Sequence, residues 1–476
     1  MTIKISEILA DSGIAFGTSG ARGLVVDFKD KVCAAFTKAF IFSINSTFEF
    51  NSVAIAIDNR PSSYQMAQSC AAALLEMGLK PIYYGVIPTP ALAYKAMKDN
   101  MPCIMVTGSH IPFDRNGLKF YRPDGEISKS DETKILACDH TFNFEAKLPV
   151  LDTNSEAYVA YVNRYLSIFD APILTGQRIG LYQHSSAGRD LYPELLTSLG
   201  ADVVCLGRSD VFVPIDTEAV SDADCKLAVG WVAEHQLDVL FSTDGDGDRP
   251  LVAGDDGIWL RGDILGLLTS QFLEIDALSV PVSCNTAIEL AGFNQVIRTK
   301  IGSPYVIDKF DELNNQFKRV AGFEANGGYL LASDLCFNNA LLKALPTRDA
   351  LLPLLAVIGL ASKKSMKLKD LVSELPQRFT HSDRIQNFSK DKSQKLLSEL
   401  KENPLRFLNQ LGLSQLQVKC LDETDGLRLV LSNGDIIHLR PSGNAPELRC
   451  YGESSSTEKA KTLVENALMK IINLHS

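Results

Sequence analysis

The sequence predicts an α/β protein built of three similar units with mixed sheets, followed by a C-terminal α+β unit. Three observations predict it. The segment VAIAIDNRPSSYQMAQSCAAALLEMGLKPIYYG (53–85) is an apolar run, a polar turn, a helical stretch, then Gly78 and a second apolar run. The segment RIGLYQHSSAGRDLYPELLTSLGADVVCLG (178–207) repeats that order, with Gly200 and Gly207 where the first has Gly78 and Gly85. Each reads as a buried strand, an amphipathic helix closed by glycine, and a second strand. Such a βαβ unit requires a parallel or mixed sheet covered by helices. The segment SVPVSCNTAIELAGFNQVIRT (279–299) reads as a third copy with a shorter helix. After about Leu375 the pattern changes. A polar, Lys-rich helix (Asp391 to Leu400) precedes alternating runs at Leu416–Leu421, Leu427–Leu431 and Asp435–Leu439, and a closing helix starts at Thr457. That order predicts antiparallel strands in an α+β domain. Boundaries near 150, 255 and 372 divide the chain into 1–150, 151–255, 256–372 and 373–476.

Length and charge set the outer limits. At roughly 100–200 residues per domain, 476 residues suggest three or four domains. A formal net charge of −10 opposes nucleic acid or anionic lipid as the main partner, because both are held by concentrated Lys and Arg. A small anionic substrate stays possible if the cations gather in one place. The 10 cysteines include no C-x-x-C pair, so zinc-ribbon and thioredoxin readings lack support. The opening MTIKISEILADSG carries acids and no long apolar stretch, unlike a signal peptide. The longest apolar run, Leu351 to Ala361, is too short for a bilayer and predicts a buried core helix. A soluble, reduced, cytoplasmic protein without a membrane segment is expected.

Four segments carry chemistry, one per unit. In TGSHIPFDRNGLKF (107–120), small flexible residues follow the apolar run Cys103–Val106, at a strand's carboxyl end where α/β proteins place ligands. Ser109 adjoins His110, with Lys119 downstream, and a serine nucleophile needs a base or cation beside it. In STDGDGDRP (242–250), three aspartates at alternate positions can turn toward one point, which suits a hard cation such as Mg²⁺. An EF-hand fails here, since Arg249 stands where its glycine should be and Asp255 where its glutamate should be. AGFEANGGYLL (321–331) holds Glu324 and Asn326 in a glycine-rich loop; such acceptors and donors suit sugar hydroxyls, although alone it reads as an ordinary turn. In LRPSGNAPELRCY (439–451), Arg440, Ser442, Gly443 and Asn444 combine a guanidinium, a hydroxyl, open amides and a side-chain amide, a set that matches phosphate. A weaker fifth segment, FGTSGARG (16–23), adds Arg22 in a flexible loop that is neither a P-loop nor a dinucleotide fingerprint.

Together the segments resemble the α-D-phosphohexomutases, the family of phosphomannomutase, phosphoglucomutase and phosphoglucosamine mutase. Five loops stand in the family's order: 16–25, 107–112, 244–249, 323–328 and 440–447. The resemblance implies four domains around a central cleft. It implies Ser109 as carrier of the transferable phosphoryl group, and Ser109, Asp244, Asp246 and Asp248 around one Mg²⁺. Arg22, His110, Lys119 and Arg249 would surround the reacting phosphate, Glu324 would bind sugar hydroxyls, and Arg440, Ser442 and Gly443 would hold the other phosphate. The implied reaction interconverts hexose 6-phosphate and hexose 1-phosphate through a hexose 1,6-bisphosphate, which also serves as activator. Mannose phosphate is the first expectation for the substrate, then glucose and glucosamine phosphates. A Mg²⁺-dependent sugar phosphatase and a non-catalytic sugar-phosphate sensor are the rivals. The chain departs from the family's usual residues at Gly108 and Ile111 (commonly Ala and Asn), at Phe323 and Asn326 in the sugar loop (commonly Gly and Ser), and at Asn444 (commonly Thr). Ser303, in TKIGSPYV, occupies a position that is often His in mannose- and glucose-handling members.

Overall fold

The computed structural model describes residues 3–17, 20–145, 147–169, 173–337, 340–442 and 446–475. Three sheets repeat one plan. In the first, the central strand Ser52–Ile57 is parallel to Lys80–Val86 on one side and to Cys103–Val106 on the other. Cys103–Val106 then pairs antiparallel with Arg115–Arg122. In the second, Arg178–Tyr182 lies parallel between Asp202–Leu206 and Val239–Thr243, and Val239–Thr243 pairs antiparallel with Pro250–Ala253. In the third, Ala277–Pro281 lies parallel between Gln295–Thr299 and Val320–Phe323, and Val320–Phe323 pairs antiparallel with Tyr329–Leu331. The duplicated segments thus occupy equivalent places. Their crossover helices are Ser63–Glu76, Leu191–Ser198 and the four-residue Ala287–Leu290, the last as short as its sequence suggests.

Glycine closes each crossover for a steric reason. Gly78, Gly200 and Gly292 have φ of +75°, +97° and +88°, a region that side chains with a Cβ enter at a cost. The second apolar run therefore returns to the sheet in the same way each time. Leu351–Lys364 is the buried core helix expected; its residues 351–361 are buried. One apolar cluster runs from Ala54 through Leu181, Leu268 and Leu355 to Leu375, joining the first three units.

The last sheet is antiparallel throughout, in the order Phe379–Ile385, Leu448–Ser454, Ile436–Pro441, Leu427–Leu431, Val418–Asp422. It is covered by helices that include Lys390–Glu402 and Thr457–His475 and has its own core, Phe388 to Ile471. The molecule is therefore three α/β units with mixed sheets and one α+β unit. All ten cysteines are free thiols. Among the described residues, no helix is long and apolar enough to cross a membrane.

This plan has a direct consequence for function. Residues 107–114, 244–249 and 324–328 each join a unit's third parallel strand to its antiparallel partner. The loop of the last unit also joins two antiparallel neighbours, Ile436–Pro441 and Leu448–Ser454. The chemistry-bearing segments of the three α/β units are one topological position used three times, and that of the last unit is a loop between antiparallel neighbours.

Candidate active site

The serine loop is held by an arginine that lies 49 residues away. Arg60 donates from Nε to Asp58 Oδ2 (3.0 Å), from Nη1 to the carbonyls of Pro112 and Arg115 (both 2.8 Å), and from Nη2 to those of Ser109 (2.8 Å) and Ile111 (2.6 Å). All five guanidinium N–H groups are used. Phe212, from the second unit, stacks on its face at 3.9 Å. Asp58 also accepts from the hydroxyls of Ser63 and Thr107 (both 2.7 Å). Burial raises its carboxyl above the ordinary range, and Arg60 opposes that rise. The loop needs such a clamp, because Ser109 has φ +56°, a left-handed conformation that costs a residue with a Cβ about 1–2 kcal/mol. Gly108 belongs to the same fit. A Cβ there would stand 2.6–2.9 Å from the Arg60 guanidinium.

The strained turn delivers Ser109 to the second unit. Its fully buried Oγ donates to Asp244 Oδ2 at 2.5 Å and lies 3.5 Å from His110 Nδ1. Arg249 Nη1 donates to the same Nδ1 at 2.8 Å. A guanidinium can only donate, so Nδ1 accepts and the ring's proton sits on Nε2. Burial, then Arg249, holds His110 well below its usual range. It is a neutral ring, which offers an Nε2–H donor but no charge of its own.

Asp244, Asp246 and Asp248 are fully buried, and one ligand atom from each lies within 4.8 Å of the others. Lys119 reaches across from the first unit to Asp246 Oδ2 (2.5 Å) and Asp248 Oδ2 (2.6 Å). Thr89 donates to Asp246 Oδ2 as well (2.5 Å). Burial pushes Asp244 well up, helped by its two acidic neighbours. Burial acts the same way on Asp246 and Asp248, but Lys119 brings Asp246 below the ordinary value, and Arg348 with Lys119 brings Asp248 lower still. Asp246 Oδ1 and Asp248 Oδ1 are buried without a hydrogen-bond partner. Two orphaned carboxylate oxygens beside a third carboxylate are the donor set of a hard divalent cation, so the residues fit Mg²⁺.

Cations complete the reactive end. Arg22, on strand Ala21–Leu24, is paired in register with Gly117, and its Nη2 is buried without a hydrogen-bond partner. Burial and the neighbouring Arg249 lower it to about 10, so it stays charged at neutral pH. In the sugar loop Glu324 is 4% exposed and accepts from Arg348 Nη1 at 3.1 Å. Asn326 Oδ1 is spent on the Gly328 N–H (3.0 Å), which leaves its amide nitrogen as the end available to a ligand.

The remote loop is built differently. Arg440 Nε pairs with Asp425 Oδ2 at 2.8 Å, and Asp425 Oδ2 also accepts from the backbone N–H of Ile301 in the third unit (2.9 Å). Ser442 N donates to the Glu447 carbonyl (2.8 Å), closing the hairpin. Arg449 faces Arg440 across the strands. Gly443 and Asn444 lie outside the described residues.

Each unit of the chain also matches a known sequence family. Residues 13–144, 156–257, 262–379 and 389–469 match phosphoglucomutase/phosphomannomutase alpha/beta/alpha domains I, II and III and the C-terminal domain, respectively. The chain belongs to the phosphoglucomutase/phosphomannomutase family. It is thus an isomerase that works by phosphoryl transfer. The phosphomannomutase of Salmonella muenchen is 56% identical over 98% of this chain and 97% of its own. That of Sinorhizobium fredii is 42% identical over 96% of this chain and 98% of its own. Among solved structures, a phosphoglucomutase/phosphomannomutase family protein from Burkholderia thailandensis shares the fold with a TM-score of 0.74 at 18% identity, over 99% of this chain and 98% of that one.

Within this family member, the structure brings Ser109, His110, Arg249 and the three aspartates into direct contact and adds Lys119 through the aspartates. Sequence reasoning missed Asp58, Arg60 and Arg348. Asp58 and Arg60 had a faint signal: DNRP is the polar turn after the first repeat strand, the equivalent of QHSS at 183–186. Arg348 is the penultimate residue of the strand Leu345–Asp349 and carried none.

Proposed function

We propose that the chain interconverts mannose 6-phosphate and mannose 1-phosphate through phosphoserine 109 and a hexose 1,6-bisphosphate, which also primes the serine. The observation that carries this reading is the Ser109 Oγ–Asp244 contact of 2.5 Å beneath the cluster of carboxylates and cations. A serine set among metal-type ligands, rather than beside a free general base, suits a phosphoryl carrier better than an acyl-forming nucleophile. The full-length likeness to two phosphomannomutases supports mannose as the sugar.

In the first half-reaction the Ser109 Oγ–P bond breaks and a sugar-oxygen–P bond forms, and the proton of the sugar hydroxyl ends on the freed Ser109 Oγ, which then donates to Asp244 as in the structure. Arg22 and Arg249 face the phosphoryl oxygens, and the buried carboxylates hold the leaving Ser109 oxygen and Lys119 in place. His110 offers Nε2–H as a donor to the same oxygens. Asp244, Asp246 and Asp248 would hold Mg²⁺, which would supply charge stabilisation of the kind phosphoryl transfer depends on. Glu324 and Asn326 contact sugar hydroxyls, and Arg440, Ser442, Gly443 and Asn444 hold the phosphate that is not reacting. The bisphosphate then turns end for end, and its other phosphoryl group returns to Ser109.

The test is a side-by-side turnover assay with mannose, glucose and glucosamine 1-phosphates, with and without a hexose bisphosphate. The reading expects the 6-phosphate isomer, fastest from mannose and dependent on priming. Accumulation of inorganic phosphate in place of the isomer would make the protein a phosphatase.

A further inference from the structure

Arg348 is 1% exposed and joins three loops with one guanidinium. Its Nε donates to Asp248 Oδ2 at 3.0 Å, and its Nη1 donates to Glu324 Oε2 and to Ser303 Oγ, both at 3.1 Å. Ser303 in turn donates to Glu126 Oε2 (2.7 Å), and Thr347 to Glu126 Oε1 (2.8 Å), so the arginine is anchored through Ser303 to a carboxylate of the first unit. The sugar loop is shaped around it. A Cβ on Gly328 would stand 2.4 Å from Arg348 Cδ, so the loop has room for this side chain only because it has glycine there. Glu324 and Asp248 are both buried carboxylates, and each takes Arg348 as counter-ion.

We propose that Arg348 is a positioning residue that fixes the Glu324 carboxylate relative to the metal loop and thereby sets which hexose is accepted. The inference rests on Glu324 facing the sugar. Hexose epimers differ in the direction of a single hydroxyl, so discrimination depends on where one acceptor sits. A carboxylate tied at both its own loop and the reacting centre cannot shift to suit the wrong epimer. With Arg348 truncated, Glu324 loses its buried counter-ion and its fixed place, and a misplacement of about 1 Å costs ~10²-fold.

The experiment measures Kd for mannose 1-phosphate and glucose 1-phosphate by calorimetry in the full-length Ser109→Ala chain, and kcat and KM for both sugars with Ser109 present. Each is measured with and without Arg348→Gln, Arg348→Lys, Ser303→Ala and Glu324→Gln, with thermal unfolding alongside. Arg348→Gln is expected to lower the mannose-to-glucose preference ~10-fold or more, with Arg348→Lys restoring part of it. Adding Glu324→Gln to Arg348→Gln should cost little more than either alone. If Arg348→Gln fails to fold, Ser303→Ala decides, because it removes one anchor while Arg348 keeps Asp248 and Glu324; it should shift the same ratio several-fold in a chain that still folds, with a smaller fall in melting temperature than Arg348→Gln causes. An unchanged ratio in the folded variants, or losses from Arg348 and Glu324 that simply multiply, overturns the proposal. A Glu324→Gln chain that binds both sugars normally instead overturns the reading of Glu324 on which it rests.

Discussion

The two ends of the site are built to opposite rules. At the reacting end Asp244, Asp246 and Asp248 are fully buried, Lys119 is 2% exposed, and the surrounding units share one apolar core. At the remote end the side chains of Arg440 and Asp425 are 13% and 19% exposed, on a unit with a core of its own. That unit meets the third through polar hooks: Glu453 takes the Thr286 N–H (3.0 Å) and hydroxyl together with Arg378 Nε (2.6 Å), and Asp425 takes the Ile301 N–H. The chemistry needs fixed charges at the bond being broken, and rigidity there comes from burial. In the proposed reaction the phosphate held at Arg440 would have to be released whenever the bisphosphate turns around. Polar, part-exposed contacts suit that exchange.

The contrast is broken first at Ser109. Ser109→Ala should cut turnover by ~10⁴-fold or more with little change in melting temperature, as measured by a coupled isomer assay. Removing charge from the buried end should damage the fold as well. Asp248→Ala takes one counter-ion from Lys119 and one from Arg348, which keep Asp246 and Glu324, and is expected to cost about 1–3 kcal/mol in denaturant unfolding. Equal stability would mean that the buried network is not holding the units together.

A third test uses pH on the last unit. His438 is buried against Tyr451 with Nε2 on the Asp425 carbonyl (2.6 Å), and burial lowers it from 6.5 to about 4. The unfolded chain takes up that proton first. Stability from the neutral ring is therefore complete above about pH 6.5 and is lost as pH falls toward 4, on the order of 3 kcal/mol in all. His438→Gln should flatten that part of the stability curve. A smaller effect is expected at the remote end. Arg440→Ala should raise KM about 10–100-fold, the worth of a hydrogen bond to a charged group, while leaving the melting temperature nearly unchanged. A loss confined to kcat would contradict an anchoring role.

The limits of sequence reading follow from the same contrast. Ser109–His110 and the Asp-Gly-Asp-Gly-Asp run declare their chemistry because the reactive groups are neighbours in the chain. The repeat at 53–85 and 178–207 was legible because strand, helix and glycine recur at fixed local spacing, and both segments form parallel strand pairs in the structure. The clamp on the serine loop was not legible. Arg60 reaches carbonyls 49 to 55 residues away, and Lys119 reaches aspartates 127 and 129 residues away. Such contacts follow from how units pack, and no local pattern encodes them. The lowered titration of His110 was hidden for the same reason, since it comes from burial between units and then from Arg249 across a unit boundary.

The central claim is that Ser109 carries the phosphoryl group between sugars. Intact-mass and peptide mass spectrometry of the chain test it most directly, before and after exposure to a hexose 1,6-bisphosphate and then to excess mannose 1-phosphate. The account predicts one phosphoryl group, located on Ser109, gained in the first step and passed to the sugar in the second. Full turnover by a chain that never carries phosphate on Ser109 would contradict it.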